Sequence, residues 1–255
     1  MNESVFMNDT PILEAVGLEC TYRSGSRVVK GLDHVSLRLM PGNILGVVGE
    51  SGSGKSSLIR HLACLEQAQS GKLFLHGKEY TGSSPAFAGQ FMQMIFQDAL
   101  SSFDPKMKLE RSIREGRKRP DDQALLKSLL EDVSLDESFL TRYPGSLSGG
   151  QCQRMSIVRA VYSGAEILLC DEVTSALDVA SQAMVISLLR SIRDRYGISM
   201  IFVSHDLGVV SRLCDEVMVM KNGCVVEYGG CREVISMPKD PYTRELLNAV
   251  MEVGR

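Results

Sequence analysis

The chain has 255 residues, of which 44% are hydrophobic and 23% are charged, a composition typical of a globular protein rather than a disordered or fibrous one. Its 28 basic and 31 acidic side chains give a net charge of −3, whereas a dedicated nucleic-acid binder usually carries a basic excess. The longest apolar runs, such as 167–170, fall far short of the roughly 20 residues that cross a bilayer. Residues 1–11 lack the basic and apolar parts of a signal peptide, so we expect a cytosolic chain.

The amino-terminal part of the chain has the pattern of strands followed by a helix. Apolar and β-branched runs predict strands at 13–22, 35–40, 44–48, 72–75 and 93–96. A Gly/Ser turn at 24–26 separates the first two strands. The strand at 44–48 is continuously apolar, as strands buried on both faces are. A glycine-rich loop follows that strand and opens a helix over about 55–67.

The stretch from 98 to 143 is more polar, is broken by prolines and shows helical leucine spacing at 123–133. We interpret residues 98–150 as a helical subdomain inserted into an α/β core, within one domain that covers 1–255. In the second part of that core and its C-terminal helices, 151–255, the pattern predicts helices at 151–161, 179–196 and 207–213, strands at 167–170 and 199–203, and a hairpin at 216–227 that turns at Asn222-Gly223. This alternation predicts a mostly parallel sheet.

Two other features carry little functional signal. The seven cysteines are scattered and never spaced as CxxC, so neither a zinc site nor a disulfide framework is predicted. The basic cluster at 114–119 fits a solvated helix end better than a binding patch.

The first motif with a specific chemistry is Gly-Glu-Ser-Gly-Ser-Gly-Lys-Ser at 49–56, which matches GxxxxGK[ST] and which we call the phosphate loop. Its glycines let backbone N–H groups turn inward around a phosphate, and the helix that follows adds a favourable dipole. Lys55 supplies positive charge to the β- and γ-phosphates, and the Ser56 hydroxyl can bind Mg²⁺. An accidental Gly/Ser turn is the alternative, but the flanking strand and helix count against it.

The second motif is the pair Asp171 and Glu172, which ends the apolar strand at 167–170. Strand ends are where α/β proteins place their chemistry. Asp171 can hold the hydration shell of Mg²⁺, and Glu172 can polarise a water for in-line attack on a γ-phosphate. The alternative is a plain helix cap, which the upstream phosphate loop disfavours.

The third motif is Leu-Ser-Gly-Gly-Gln at 147–151, which precedes a helical pattern. Its small residues at a helix amino terminus can bind a second phosphate surface. The alternative is an ordinary capped loop, because Ser148 is a good N-cap residue.

In this order the motifs resemble those of the nucleotide-binding subunit of an ATP-binding-cassette (ABC) transporter, and the resemblance runs from 13 to 251. It implies a P-loop ATPase core of ABC type with an antiparallel β subdomain and an inserted helical subdomain. It also implies a loop glutamine at Gln97, the signature at 147–151, a D-loop at 175–178, a switch histidine at His205, and ATP and Mg²⁺ as cofactors.

The resemblance assigns roles to individual residues. The expected catalytic residues are Glu172, His205 and Gln97. The expected Mg²⁺ ligands are Ser56, Gln97 and Asp171. The nucleotide-binding set is Tyr22, Gly49, Glu50, Ser51, Gly52, Ser53, Gly54, Lys55, Ser56, Ser57, Ser148, Gly149, Gly150, Gln151 and Asp178. Tyr22 is the expected adenine-stacking aromatic, with Tyr80 and Phe87 left open as alternatives.

Two segments, 96–105 and 240–247, resemble the peptide and nickel importers of the family. The chain departs from that subfamily at Val173, where proline is usual, and at Cys152, where arginine is common, and the region after Pro105 looks shortened. The resemblance implies a subunit that dimerises on ATP and powers import through a membrane permease from the inner face of the cell membrane. The alternative is a soluble ABC-type ATPase that is not coupled to transport.

The same resemblance implies the partners. They are transmembrane permease subunits, a second ATPase subunit of the same or a related sequence and, indirectly, a solute-binding protein, with no nucleic acid. Residues 97–105 are expected to receive a cytoplasmic helix of the permease, because Leu100 and Phe103 are apolar in a polar loop. The alternative is that both side chains pack inside the helical subdomain.

Overall fold

A computed structural model describes residues 10–24, 27–81, 85–117, 120–175 and 177–253. The strands in these ranges are β1 Leu13–Ser24, β2 Arg27–Leu39, β3 Ile44–Val48, β4 Ser70–Leu75, β5 Lys78–Tyr80, β6 Met92–Ile95, β7 Ile167–Asp171, β8 Ser199–Ser204, β9 Glu216–Lys221 and β10 Cys224–Gly230. The helices are α1 Lys55–Leu62, α2 Pro85–Phe91, α3 Leu109–Glu115, α4 Gln123–Asp132, α5 Gly149–Tyr162, α6 Val179–Tyr196, α7 Leu207–Leu213, α8 Cys231–Ser236 and α9 Pro241–Val253.

The main sheet has the strand order β10-β9-β3-β8-β7-β6. All of its neighbouring strands are parallel except the β9–β10 hairpin. Every residue of β3 and β8 is buried, which agrees with the continuous apolar runs of a strand covered on both faces. Because parallel strands end at one edge, the segments that follow β3, β6, β7 and β8 leave the sheet on the same side.

A second, antiparallel sheet has the order β2-β1-β4-β5. Strand β2 begins at Arg27, whereas the sequence pattern predicted a start at 35, because pairing with β1 at Cys20↔Leu32 and Tyr22↔Val29 extends it through a polar stretch. Residues 25 and 26 of the expected Gly/Ser turn lie outside the described residues. This sheet and one face of the main sheet enclose a common core, which includes Leu13, Leu45 and Ile59.

Helix α1 ends at Leu62 and not near 67 as expected. Cys64 has a left-handed backbone, with φ of 55°, and the Leu65 N–H turns back to the Arg60 carbonyl. A left-handed residue stops helical propagation, and a side chain other than glycine in this conformation gives no clear sequence signal. The short elements β5, α2 and α3 were likewise not predicted.

The segment between β6 and β7 is helical, as expected, and is built from α3, α4, the start of α5 and short 3₁₀ turns. Leu126, Leu129 and Val133 of the α4 region pack with Met155 of α5 in the core on the other face of the main sheet. Helix α5 thus belongs both to this segment and to the layer that covers the sheet. The boundaries 98–150 of a separate subdomain remain a prediction.

The expectation that Phe103 is exposed is wrong. Phe103 is only 4% exposed and packs in the core, with the Arg159 guanidinium 4.2 Å from the centre of its ring. Arg159 also donates to the Ser102 carbonyl at 2.6 Å and to its Oγ at 2.9 Å, which holds the loop onto α5. Leu100 is 47% exposed, so the two apolar side chains of this loop face opposite ways.

Over the described ranges, no helix combines the length and the apolar character that spanning a bilayer requires.

Gly46 of β3 is predicted to tolerate no side chain. A Cβ there would lie 2.6 Å from Val210 Cγ1 and 3.0 Å from Cys214 Sγ, so Gly46→Ala should lower the free energy of unfolding by about 1–3 kcal/mol. Gly89 lies inside α2 with open space around its Cβ, and Gly89→Ala should raise that free energy by about 0.5–1 kcal/mol. Urea denaturation of both variants tests these opposite signs, and equal effects would contradict the packing described here.

Candidate functional site

The phosphate loop joins β3 to α1 at the carboxyl edge of the main sheet. Its glycines have backbones that other residues rarely adopt, with φ of 152° at Gly49 and 107° at Gly54. A Cβ on Gly49 would lie 2.2 Å from the Met220 carbonyl oxygen, and one on Gly54 would lie 2.4 Å from the Gly31 carbonyl oxygen. The loop therefore packs directly on the backbones of β9 and β2, which only glycine permits.

Lys55 is only 4% exposed, and its own loop holds its ammonium group. Nζ donates to the carbonyl oxygens of Gly49 and Glu50, both at 2.7 Å, and to Ser53 Oγ at 3.3 Å. Burial lowers the pKa of Lys55, while the carboxylates of Glu172 and Asp171 act to raise it. These bonds keep a buried positive charge satisfied at the mouth of the loop, where an anion can approach it.

Asp171, the last residue of β7, lies beside the start of α1, with Oδ1 3.5 Å from Ser56 Oγ. Burial raises the pKa of Asp171, and the neighbouring Glu172 raises it further. Hydroxyl and carboxylate oxygens are the ligands that Mg²⁺ accepts, and it commonly keeps waters and binds substrate phosphates as well. Since the described residues contain no cluster of three or more His, Cys, Asp and Glu side chains, a bound Mg²⁺ would need such additional ligands.

Glu172 follows Asp171 in a left-handed conformation, with φ of 50°. Its N–H donates to the Val203 carbonyl at 3.1 Å, which fixes this turn against β8. The carboxylate lies 3.7 Å from Nδ1 of His205, which follows β8. The backbone turn therefore sends the Glu172 and Asp171 side chains in different directions, as their predicted roles require.

A cavity of about 250 Å³ lies between the phosphate loop, Glu172 and the strands β1 and β2. It is lined by Tyr22, Val29, Lys30, Gly31, Ser51, Gly52, Gly54, Lys55, Ser56, Ser57 and Glu172. The glycine-lined space next to a buried ammonium fits a phosphate group, and the Ser56–Asp171 pair fits Mg²⁺.

Of the three aromatic candidates, Tyr22 lines this cavity. Its hydroxyl donates to Glu66 Oε2 at 2.5 Å, and its ring lies so close to Gly31 that a Cβ there would be 2.4 Å from Cε2. Tyr80 is buried and donates to the Leu62 carbonyl, and Phe87 packs against Tyr80. The placement favours Tyr22 as the adenine-stacking residue.

The remaining predicted residues are not brought to the cavity within one chain. Ser148 and Gln151 form a capping box at the start of α5, in which each side chain accepts the backbone N–H of the other residue. Gly149 and Gly150 have open space where a Cβ would be. Within the described ranges, no hydrogen bond or ion pair connects 148–151 to the phosphate loop.

Asp178 is the N-cap of α6 and accepts bonds from Ser181 N–H at 2.9 Å and Ser181 Oγ at 2.8 Å. Ala176 of the expected D-loop lies outside the described residues. Gln97 is exposed just after β6, the strand that pairs with β7. The two departures from the subfamily, Cys152 and Val173, are both buried in the core.

Two residues that sequence reasoning missed position Tyr22. Glu66 accepts its hydroxyl from 44 residues away, which no local pattern signals. Gly31 lies inside β2 and packs against its ring, and an isolated glycine in a strand is a recognisable sign of close approach.

Comparisons with known proteins agree with this geometry. The sequence model of the ABC transporter family matches residues 32–175. The chain is 41% identical over 234 residues to the oligopeptide transport ATP-binding protein OppF of Escherichia coli K12. The aligned region covers 88% of this chain and 70% of that protein. It is 37% identical over 258 residues to the dipeptide transport ATP-binding protein DppF of Haemophilus influenzae, covering 94% and 78%.

Among solved structures, the fold matches a dimeric ATP-binding cassette in a post-hydrolysis state bound to ADP and Pi. The TM-score is 0.75 at 23% identity, covering 86% of this chain and 99% of that one. The chain belongs to the ABC transporter family, and it is an ATP-binding subunit with the ATPase activity of that family. The transport-coupled expectation is thus confirmed over the alternative of a soluble ABC-type ATPase.

Asp171→Asn is expected to raise the melting temperature of the nucleotide-free protein. Burial and Glu172 raise the pKa of Asp171 in the folded state, so its ionised form opposes folding at neutral pH, and an amide removes that cost. The rise should be on the order of 2–4 °C, the effect of about 1 kcal/mol in a chain of this size. Scanning calorimetry at pH 7 measures it.

Asp178→Asn is the matched control. Backbone and side-chain hydrogen bonds from Ser181 lower the pKa of Asp178, so its charge stabilises the folded state, and this variant should leave the melting temperature unchanged or lower it. A melting temperature that falls in Asp171→Asn as well would contradict the electrostatic account of the site.

Proposed function

We propose that this chain binds ATP with Mg²⁺, hydrolyses it at a site shared with a second ATPase subunit, and so powers peptide import through a membrane permease at the inner face of the cell membrane. The observation that carries the proposal is that Lys55, Ser56 and Glu172 line one glycine-lined cavity and that Asp171 lies next to Ser56. The two relatives named above are ATP-binding proteins of an oligopeptide and a dipeptide transporter. Their names support peptides as the transported solute. They give no specific support for nickel.

Each group at the cavity has a task in this reaction. Lys55 exchanges loop carbonyls for β- and γ-phosphate oxygens, and the loop N–H groups orient the phosphates. Ser56 and Asp171 would hold Mg²⁺, whose positive charge would offset the negative charge of the phosphates. Gln97, which follows β6, is assigned to the same metal and to reporting its presence to the inserted helices.

Glu172 serves as the general base. Its carboxylate takes a proton from a water while the water oxygen bonds to the γ-phosphorus and the bond to the bridging oxygen breaks, which leaves ADP and phosphate. His205, beside Glu172, contacts the γ-phosphate and senses its loss. The distance of 3.7 Å between Nδ1 and Oε2 supports their joint action.

A second subunit completes the site. At the start of α5 the capping box takes up the N–H groups of Ser148 and Gln151, and the N–H groups of Gly149 and Gly150 form an anion-binding end. In a single chain this end is not bonded to the phosphate loop within the described ranges, so a neighbouring subunit, of the same or a related sequence, is expected to present it. Asp178, the N-cap of α6 and the last residue of the expected D-loop, is proposed to contact the nucleotide site as well.

The permease contact is proposed at Leu100 and Phe96, which flank Gln97 and are 47% and 37% exposed. Exposed apolar side chains in a polar loop suit a docking face for an apolar helix. Phe103 takes no direct part, because it is buried beneath Arg159. The Arg159 bonds to Ser102 instead make the loop a firm support for Leu100.

Lys55→Ala and Glu172→Gln are expected to fail at different steps. Lys55→Ala leaves the phosphate charge uncompensated and should weaken ATP binding by roughly tenfold or more, because a charged hydrogen bond contributes about 1.5–3 kcal/mol. Glu172→Gln keeps the shape of the carboxylate but not its basicity, so it should bind ATP, lose turnover and accumulate as an ATP-bound dimer. Calorimetric titration and size-exclusion chromatography with ATP and Mg²⁺ distinguish the two variants.

Normal ATPase activity in Lys55→Ala would reject the phosphate-loop assignment. Normal turnover in Glu172→Gln would mean that another group positions the water.

Cysteine introduced by Ser101→Cys is expected to cross-link to the permease in membranes, with a yield that depends on ATP. Ser101 is exposed beside Leu100, whereas Ser102 is engaged by Arg159 and should be left intact. Six of the seven native thiols are buried, so only Cys224 needs to be replaced to remove cross-linking through native cysteines. Products are identified by mass.

Ser236→Cys, exposed in α8 outside the inserted helices, is the matched control and should give no permease product. Normal transport without any cross-link from Ser101→Cys would place the interface elsewhere.

A further inference from the structure

The C-terminal helix reaches back to the phosphate loop. Tyr242, in the first turn of α9, is 4% exposed, and its hydroxyl accepts the Glu50 N–H at 3.1 Å. The two residues are 192 positions apart in sequence. A buried hydroxyl in this place is therefore a direct contact between the end of the fold and the loop of the proposed nucleotide site.

The peptide group that Tyr242 contacts is the one that holds Lys55. The Glu50 N–H and the Gly49 carbonyl belong to a single planar peptide unit. Tyr242 binds its N–H, and Lys55 Nζ donates to its carbonyl oxygen at 2.7 Å. Because the unit is rigid, a bond that fixes its N–H also fixes the direction of the carbonyl that orients the ammonium group.

Tyr242 is itself firmly placed. The Lys221 ammonium lies 4.2 Å from the centre of its ring, and its N–H donates to Asp240 Oδ1 at 2.8 Å. The buried Glu227 carboxylate accepts the N–H groups of Lys239 and Asp240 at 2.8 and 3.1 Å. The turn before α9 is thus tied to β10, so the hydroxyl of Tyr242 has a fixed position from which to hold the loop.

We propose that Tyr242 is a positioning residue for the phosphate loop, and that the docking of α9 thereby sets the affinity of the loop for nucleotide phosphates. The proposal rests on the ATP-binding role proposed for this loop. Tyr242 touches no phosphate; it preorganises the Gly49–Glu50 peptide and, through it, Lys55. Whatever shifts the turn before α9 alters ATP binding without touching the cavity.

Tyr242→Phe of the full chain tests the proposal, since it removes only the hydroxyl. Without nucleotide, amide hydrogen exchange of the phosphate loop should accelerate, because the Glu50 N–H loses its acceptor. The Kd and KM for ATP should rise about three- to tenfold, the effect of one ordinary hydrogen bond, while kcat at saturating ATP changes less. This split between KM and kcat would not follow from a general loss of stability.

Tyr80→Phe is the matched control. Tyr80 is also buried and also bonds a backbone group at 3.1 Å, but that group is the Leu62 carbonyl at the end of α1 and not a group of the phosphate loop. This variant should lose comparable stability with unchanged exchange in the loop and an unchanged KM for ATP. If Tyr242→Phe behaves in the same way, the proposal is overturned.

Asp240→Ala provides a second variant should Tyr242→Phe fail to fold. It removes the acceptor of the Tyr242 N–H but keeps the hydroxyl, so loop exchange and the Kd for ATP should change in the same direction by a smaller factor. No change in either measurement would overturn the proposal. Wild-type chain that binds no ATP would reject the proposed function instead, because the exchange measurement without nucleotide still reports on the contact between Tyr242 and the loop.

Discussion

The Lys55 ammonium must be buried and satisfied yet remain available to an incoming anion, and the structure around it is organised by this constraint. Backbone carbonyls of its own loop meet the first need, because they hold the charge without neutralising it. They can do so only if the loop curls tightly, which requires the left-handed glycines and their contact with the backbones of β9 and β2. The site thus depends on the junction of the two sheets and not on the loop alone.

The negatively charged residues of the site, Asp171 and Glu172, are subject to a second constraint. Asp171 and Glu172 are consecutive and partly buried, and burial together with the neighbouring Glu172 carboxylate raises the pKa of Asp171. The left-handed turn at Glu172 relieves this by sending its side chain toward His205 while Asp171 faces Ser56. Such an arrangement costs stability in the free protein, and a ligand that brings Mg²⁺ and phosphate would recover it. Functional sites commonly hold strain of this kind.

Sequence reasoning succeeded where local chemistry decides the structure. Strand β3 and helices α6 and α7 have the predicted bounds, because an unbroken apolar run defines the strand and the N-caps Asp178 and Asp206 define the helix starts. Sequence reasoning failed where contacts between separate segments, such as strand pairing, decide the structure. The first half of β2 is polar and is a strand only because β1 lies beside it, and α1 stops early at a left-handed cysteine.

The same difference between local and long-range determinants explains which residues of the site could be predicted. Contiguous motifs supplied Lys55, Ser56, Asp171 and Glu172, whose mutual placement follows from the rule that parallel strands end at one edge. Glu66 behind Tyr22 and Tyr242 behind Glu50 were out of reach, since each acts across a long sequence separation through one hydrogen bond. These are the contacts that orient the groups the motifs provide. A motif therefore specifies which atoms meet the nucleotide, whereas the geometry that tunes their affinity is set by distant parts of the fold, here a glutamate after α1 and a tyrosine of the last helix.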